Sequence, residues 1–210
     1  AREVAKSAKC VGQLKQTITA QQLYGDDFDG YCTTQQIYPE GTYTWAYLLT
    51  GIGRKTRGYI SAKTLLCPSI RNVMPTTSNG NPFGSSATNN TYGMWWFSLS
   101  NERLAARMDR IGSIAYSNNA FKFAMLKSQS GTALFADSAR FDSESNFGKA
   151  YYLFPTTNYS ANLGIFRGHN DQANVAFADG HVAGLASGEL YETSMQIRFS
   201  FSSYGVRRDY

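Results

Sequence analysis

Along AREVAKSAKCVGQLKQTITAQQLYG, residues 1–25, apolar side chains recur at Val4, Ala8, Val11, Leu14 and Ile18, then at Leu23 and Tyr24. Steps of three and four gather such positions on one stripe of an α-helix, with charges and glutamines on the other faces. A helix of about 24 residues is roughly 36 Å long. Gly25 followed by Asp26 and Asp27 predicts its end. No capping residue stands ahead of the pattern, which predicts a helix whose first turns lie upstream of Ala1.

After this segment the pattern turns to short runs. Residues 43–49 (YTWAYLL) form an apolar stretch too short to divide between helix and strand. Gly51, Gly53 and Gly58 mark a loop, and residues 59–66 run into Cys67-Pro68, where proline ends regular structure. Residues 74–91 read as a long polar loop, and residues 92–99 (YGMWWFSL) as a buried strand or a partner-facing patch. Asn101 caps a predicted short helix over 101–111, with Leu104, Met108 and Ile111 on one face. Residues 121–127 and 132–136 read as strands, and 174–178 with 181–185 as a hairpin about Asp179-Gly180. A type I′ turn there sets Phe177 opposite Val182 and puts His181 on the face away from Val175, Phe177 and Val182. The whole predicts an α+β fold: a long N-terminal amphipathic helix (1–25) packed on the mainly antiparallel sheet of a β-rich globular part (26–210), with loop-rich insertions.

Composition agrees with short strands and loops: 42% hydrophobic, 17% charged, with 14 Tyr, 13 Phe and 19 Gly. The net charge of +5 is scattered among Arg2, Lys6, Lys9, Lys15, Arg54, Lys55, Arg57, Arg207 and Arg208. No dense basic patch interleaved with aromatics forms, which argues against a nucleic-acid partner. No secretory leader pattern and no apolar run of membrane length is present in these residues.

Candidate chemistry is sparse. Cys10, Cys32 and Cys67 lack the CxxC spacing of zinc or redox sites. They read as three buried thiols, or as a Cys32–Cys67 disulfide with Cys10 left over. Asp27 and Asp29 in GDDFDGY stand where calcium ligands would, but Gly25 and Gln36 occupy two key positions of an EF-hand loop. A solvated turn is the simpler reading. Asn89 and Asn158 each begin an N-glycosylation triplet. Both histidines fall in FRGHNDQANVAFADGHV, residues 166–182. His169, Asp171, Asp179 and His181 carry ligand atoms, yet no zincin spacing and no GxSxG element accompanies them. A hydrolase assembled in space from His169, Asp137 and a serine is the enzyme alternative. The simpler expectation is that His169 bonds across to the Asp-Gly hairpin and pins it.

The spacing from His169 over nine residues to Asp179-Gly180 resembles the H-x9-DG signature at the C-terminus of prepilin-like proteins, relatives of type II secretion pseudopilins. AREVAKSAKCVGQLKQ resembles their helix beyond its membrane half, and YGDDFDGY the acidic turn that follows. Leu66-Cys67-Pro68-Ser69, Tyr92-Gly93-Met94 and Leu134-Phe135-Ala136-Asp137-Ser138 match further blocks in order. The chain differs in having Gly168 between Arg167 and His169, and Trp95-Trp96 where many members have a polar residue. The resemblance implies a type IV pilin-like fold and a precursor with roughly 20 apolar residues before Ala1, enough to span a membrane. It implies no catalysis and no obligatory cofactor, with calcium at Asp27 and Asp29 as an option. It further implies assembly into an extracellular or cell-surface filament, with copies of itself or other pilin-like subunits, through the N-terminal helix, whose face of Val4, Ala8, Val11, Leu14 and Ile18 is expected to pack either on its own sheet or on neighbouring helices. The alternative is a secreted or surface-anchored binding module, for carbohydrate among others, using exposed Tyr and Trp.

Overall fold

The computed structural model describes residues 2–38, 41–52, 57–70, 91–96, 120–141, 147–156 and 162–210. The expected helix over 101–111, most of the polar loop over 74–91, and the glycosylation candidates Asn89 and Asn158 lie outside the described residues. Helix α1 (Arg2–Asp27) comes first. Short strands β1 (Tyr31–Thr33), β2 (Gln35–Tyr38) and β3 (Gly41–Thr44) lead to α2 (Trp45–Thr50), so the ambiguous apolar run over 43–49 is divided: Tyr43 and Thr44 end a strand and the rest is helix. A 3-10 turn (Ala62–Leu65), β4 (Gly93–Trp95), β5 (Ala120–Lys122), β6 (Ala133–Ala136), β7 (Ser138–Arg140), β8 (Lys149–Ala150) and β9 (Leu153–Phe154) follow. The chain closes with β10 (Leu163–Arg167), β11 (Ala173–Phe177), β12 (Val182–Leu185), α3 (Ser187–Glu192), β13 (Phe199–Ser202) and β14 (Arg207–Asp209).

Two five-stranded sheets carry the fold, in the orders β12-β11-β6-β4-β9 and β14-β13-β10-β7-β8. Their pairings are antiparallel except β4 with β9 and β10 with β13. The α+β reading therefore holds, with sheets that are mixed rather than wholly antiparallel. Every residue of β6, β10 and β11 is buried. Because successive side chains point to opposite faces, both faces of these strands are covered, and α1 supplies part of the cover by packing on β11 and β6.

The stripe that α1 buries is not the one its apolar residues suggest. Leu14 and Ile18 are fully buried as expected, but Cys10, Thr17, Gln21 and Tyr24 complete the stripe. Val4 is 63% exposed and Ala8 is exposed, while Val11 is only half-buried. The two sets lie on neighbouring sides of the helix, and polar members of the buried side bond in different ways: the Thr17 hydroxyl donates to Gln13 O one turn back at 2.9 Å, and Cys10 Sγ donates to Asp137 Oδ1 at 3.2 Å. The helix also runs two residues past Gly25, which is buried beside the Phe123 ring.

Three further expectations are corrected. Strand β5 stops at Lys122, where a 3-10 turn (Phe123–Met125) replaces the strand expected through 127. The Asp179-Gly180 hairpin pairs Ala176 with Val182, and the Phe177 N–H donates to His181 O at 2.9 Å across a three-residue loop (178–180), because only Gly180 there has a positive φ, 96°. A type I′ turn needs two such residues. The register moves by one, so His181 stacks on Phe177 at 4.2 Å instead of lying on the opposite face. The two positive φ values of a type I′ turn occur instead at Asn170 (53°) and Asp171 (63°). That turn is closed by His169 and Gln172, each donating its backbone N–H to the other's carbonyl at 3.0 Å.

Candidate functional site

The chain changes sheets at Asp137, between β6 and β7. Its backbone N–H donates to Asn174 O of β11 at 3.1 Å, and its carbonyl accepts from Phe166 N of β10 at 2.9 Å, so it is bonded to both sheets. Ser138 next to it donates to Leu153 O at 2.9 Å and to Gly164 O at 3.2 Å. Another link between the sheets is the tight turn between β10 and β11, and its first residue is His169. Helix α1 lays Cys10 over this junction, and the segment after the first 3-10 turn brings Cys67 and Ser69.

These placements gather Cys10, Cys67, Asp137 and His169 in one buried cluster whose ligand atoms all lie within 4.8 Å of one another. Cys10 Sγ donates to Asp137 Oδ1 at 3.2 Å, and Cys67 Sγ lies 3.5 Å from His169 Nε2. His169 Nε2 lies 3.4 Å from Asp137 Oδ2. Around them, Ser69 Oγ meets His169 Nδ1 at 3.2 Å, the Asn174 N–H donates to Asp137 Oδ2 at 2.9 Å, and the Tyr92 hydroxyl donates to Cys10 Sγ at 3.5 Å.

Burial and mutual charge decide the protonation. Burial opposes the imidazolium of His169, yet hydrogen bonds and charge from Asp137 and Cys10 outweigh it and carry the pKa up to about 10. Burial also works to raise Cys10, but hydrogen bonds with Cys67, His169 and Tyr92 bring it below its ordinary value. Cys67 is pushed well above its own by burial and by the neighbouring Cys10 and Asp137. Tyr92 rises for the same reasons, burial first and then the Cys10 and Cys67 charges. At neutral pH the buried His169 ring is thus held as the imidazolium, facing the carboxyl group of Asp137.

The other candidate residues lie elsewhere. His169 does not reach the Asp-Gly hairpin; Asp179 instead accepts from the His181 backbone N–H at 3.1 Å and meets His181 Nδ1 at 2.6 Å. Asp27 accepts from the Tyr59 hydroxyl at 2.6 Å, and Asp29 pairs with Lys122 at 2.5 Å. The two carboxylates are thus committed to different partners on an exposed turn, not aimed at a common point. All three cysteines are free. Cys67 is beside Cys10, whereas Cys32 sits in β1 opposite Phe121 of β5, so the structure does not bridge Cys32 with Cys67. Arg167 has a buried structural place despite the inserted Gly168: it donates to Asp171 and, through Nε, to Ser200 Oγ at 2.9 Å. Trp95 is fully buried and Trp45 donates its indole N–H to Tyr152 O at 2.8 Å, which makes both core residues and removes them as stacking platforms.

No protein-family model, curated protein or solved structure matches the chain. Sequence reasoning had paired His169 with Asp137 only as part of a triad, and Ser69 is the serine that the fold brings to that pair. It missed Cys10 and Cys67 as their companions, since no local spacing joins four segments so far apart. One signal was present: each of the four residues stands in a different block of those that carry the prepilin-like resemblance.

Proposed function

We propose that the chain is a structural subunit of an extracellular filament, of the type IV pilus-like or type II secretion pseudopilus-like kind, that assembles through its N-terminal helix. The observation that carries this reading is the division of α1 into two working faces. Leu14, Ile18 and Tyr24 anchor it to the sheets, while Val4, Ala5 and Ala8 face outward and nothing lies within 4 Å of the position of a Cβ on Gly12. An apolar, small-residue face on an anchored helix suits close approach of the same helix in a neighbouring subunit. Among the described residues no helix is long and apolar enough to cross a membrane. The test is electron microscopy of the native assembly with Val4→Glu and Ala8→Glu in the gene. Each variant is expected to fold, because both positions are exposed, and to yield no filaments. Normal filaments from the double variant would refute assembly through this face.

A further inference from the structure

We propose that Cys10, Cys67, Asp137 and His169 form a closed tetrahedral zinc site that staples α1 to the junction of the two sheets. This goes beyond the filament reading and does not depend on it.

The donor set is the first argument. Two thiols, one imidazole and one carboxylate are zinc ligands, and soft sulfur donors disfavour calcium or magnesium. Spacing is the second. Zinc bonds of about 2.0–2.3 Å at tetrahedral angles put neighbouring ligand atoms about 3.3–3.8 Å apart. The separations of 3.2 Å from Cys10 Sγ to Asp137 Oδ1 and 3.5 Å from Cys67 Sγ to His169 Nε2 sit at that scale, and the four ligand atoms all lie within 4.8 Å of one another.

Orientation is the third. A ligating histidine is normally held through its other ring nitrogen, and ligating carboxylates and thiolates through outer hydrogen bonds. Here Ser69 Oγ holds Nδ1 and leaves Nε2 facing the cluster. The Asn174 N–H holds Asp137 Oδ2 and leaves Oδ1 toward Cys10. The Tyr92 hydroxyl supports Cys10 Sγ. A Cys10–Cys67 disulfide would use two of the four groups and give no role to these bonds. Zinc uses all four: the two thiols and the imidazolium release their protons to solvent as the metal binds, and Asp137 ligates as its carboxylate. Because the ligands come from α1, the segment after the 3-10 turn, the β6–β7 junction and the β10–β11 turn, metal binding free energy becomes folding free energy.

The experiment uses the full chain, purified with reductant, stripped with chelator, shown folded by circular dichroism, and titrated with Co2+ and then Zn2+. The expected result is one Co2+ per chain, with tetrahedral d–d absorption and a thiolate charge-transfer band, both abolished by one equivalent of Zn2+. Zn2+ at about 100 times its Kd should raise Tm by roughly 5–11 °C. His169→Ala and Cys67→Ser should remove the band, Ser69→Ala should weaken binding about 10–100-fold, and Cys32→Ser should leave it unchanged. A folded wild-type chain with no thiolate band and no zinc-dependent rise in Tm would overturn the proposal, whatever the variants do. A Cys10–Cys67 disulfide in protein isolated from its native source without reductant would overturn it as well.

Discussion

Truncating Leu14 to alanine tests how α1 is held. Its side chain is fully buried in the stripe against the sheets, with Cys10 one turn before it and Ile18 one turn after it. Removing a fully buried leucine side chain loses its transfer free energy and leaves a cavity, typically about 2–5 kcal/mol together. Leu14 shares one hydrophobic core cluster with Trp45 and Phe135, whose ring centroids are 4.8 Å apart, and such close packing limits collapse into the gap. We expect about 3 kcal/mol of lost stability, which for a chain of this size lowers Tm by about 6–12 °C. Val4→Ala is the matched comparison: at 63% exposed it should change stability by less than about 0.5 kcal/mol. Urea titrations followed by far-UV circular dichroism and by the fluorescence of buried Trp45 and Trp95 give both values, provided the denaturant slope is unchanged. A loss under about 1 kcal/mol for Leu14→Ala, or an equal loss for Val4→Ala, would refute the face assignment.

At the turn after β10, Asn170→Gly should hold or slightly raise stability in urea, whereas Asn170→Val should cost about 1–2 kcal/mol. The site is exposed and its φ is 53°, so only backbone strain separates the two substitutions. Acid titration should reveal the Asp179 pair. Burial works to raise that carboxyl, but the His181 N–H and ring hold it below its ordinary value of 3.8. A depressed carboxyl contributes stability that is present above its unfolded pKa and lost as pH falls through its folded pKa. The gap in urea midpoint between the wild type and Asp179→Asn should therefore be open at about pH 6 and closed at about pH 2, and a gap that widens with acid would contradict the assignment.

The long helix and the α+β class were legible because a period of 3.6 over some two dozen residues is a strong local signal. Short strands such as β6, and the existence of a hairpin at Asp179-Gly180, were legible from apolar runs and turn residues. The face that α1 buries was not. Counting apolar residues favours Val4, Ala8 and Val11, but burial goes to whichever side meets the sheets, and there Thr17, Gln21 and Cys10 are accepted. The turn register depended on which residues take positive φ, and backbone packing assigned that to Asn170 and Asp171 as well as Gly180.

By itself the sequence determined the element types, the lack of a dense basic surface and the presence of separate Cys, Asp and His residues in distinct blocks. Only the tertiary structure decided that Cys10, Cys67, Asp137 and His169 meet. Their side chains come from four segments joined by long stretches of chain, and no local period encodes that approach. It follows from α1 crossing the point where the chain passes between the two sheets. There, backbone pairing fixes Asp137 and His169, and burial obliges each polar group to find its partner in the others.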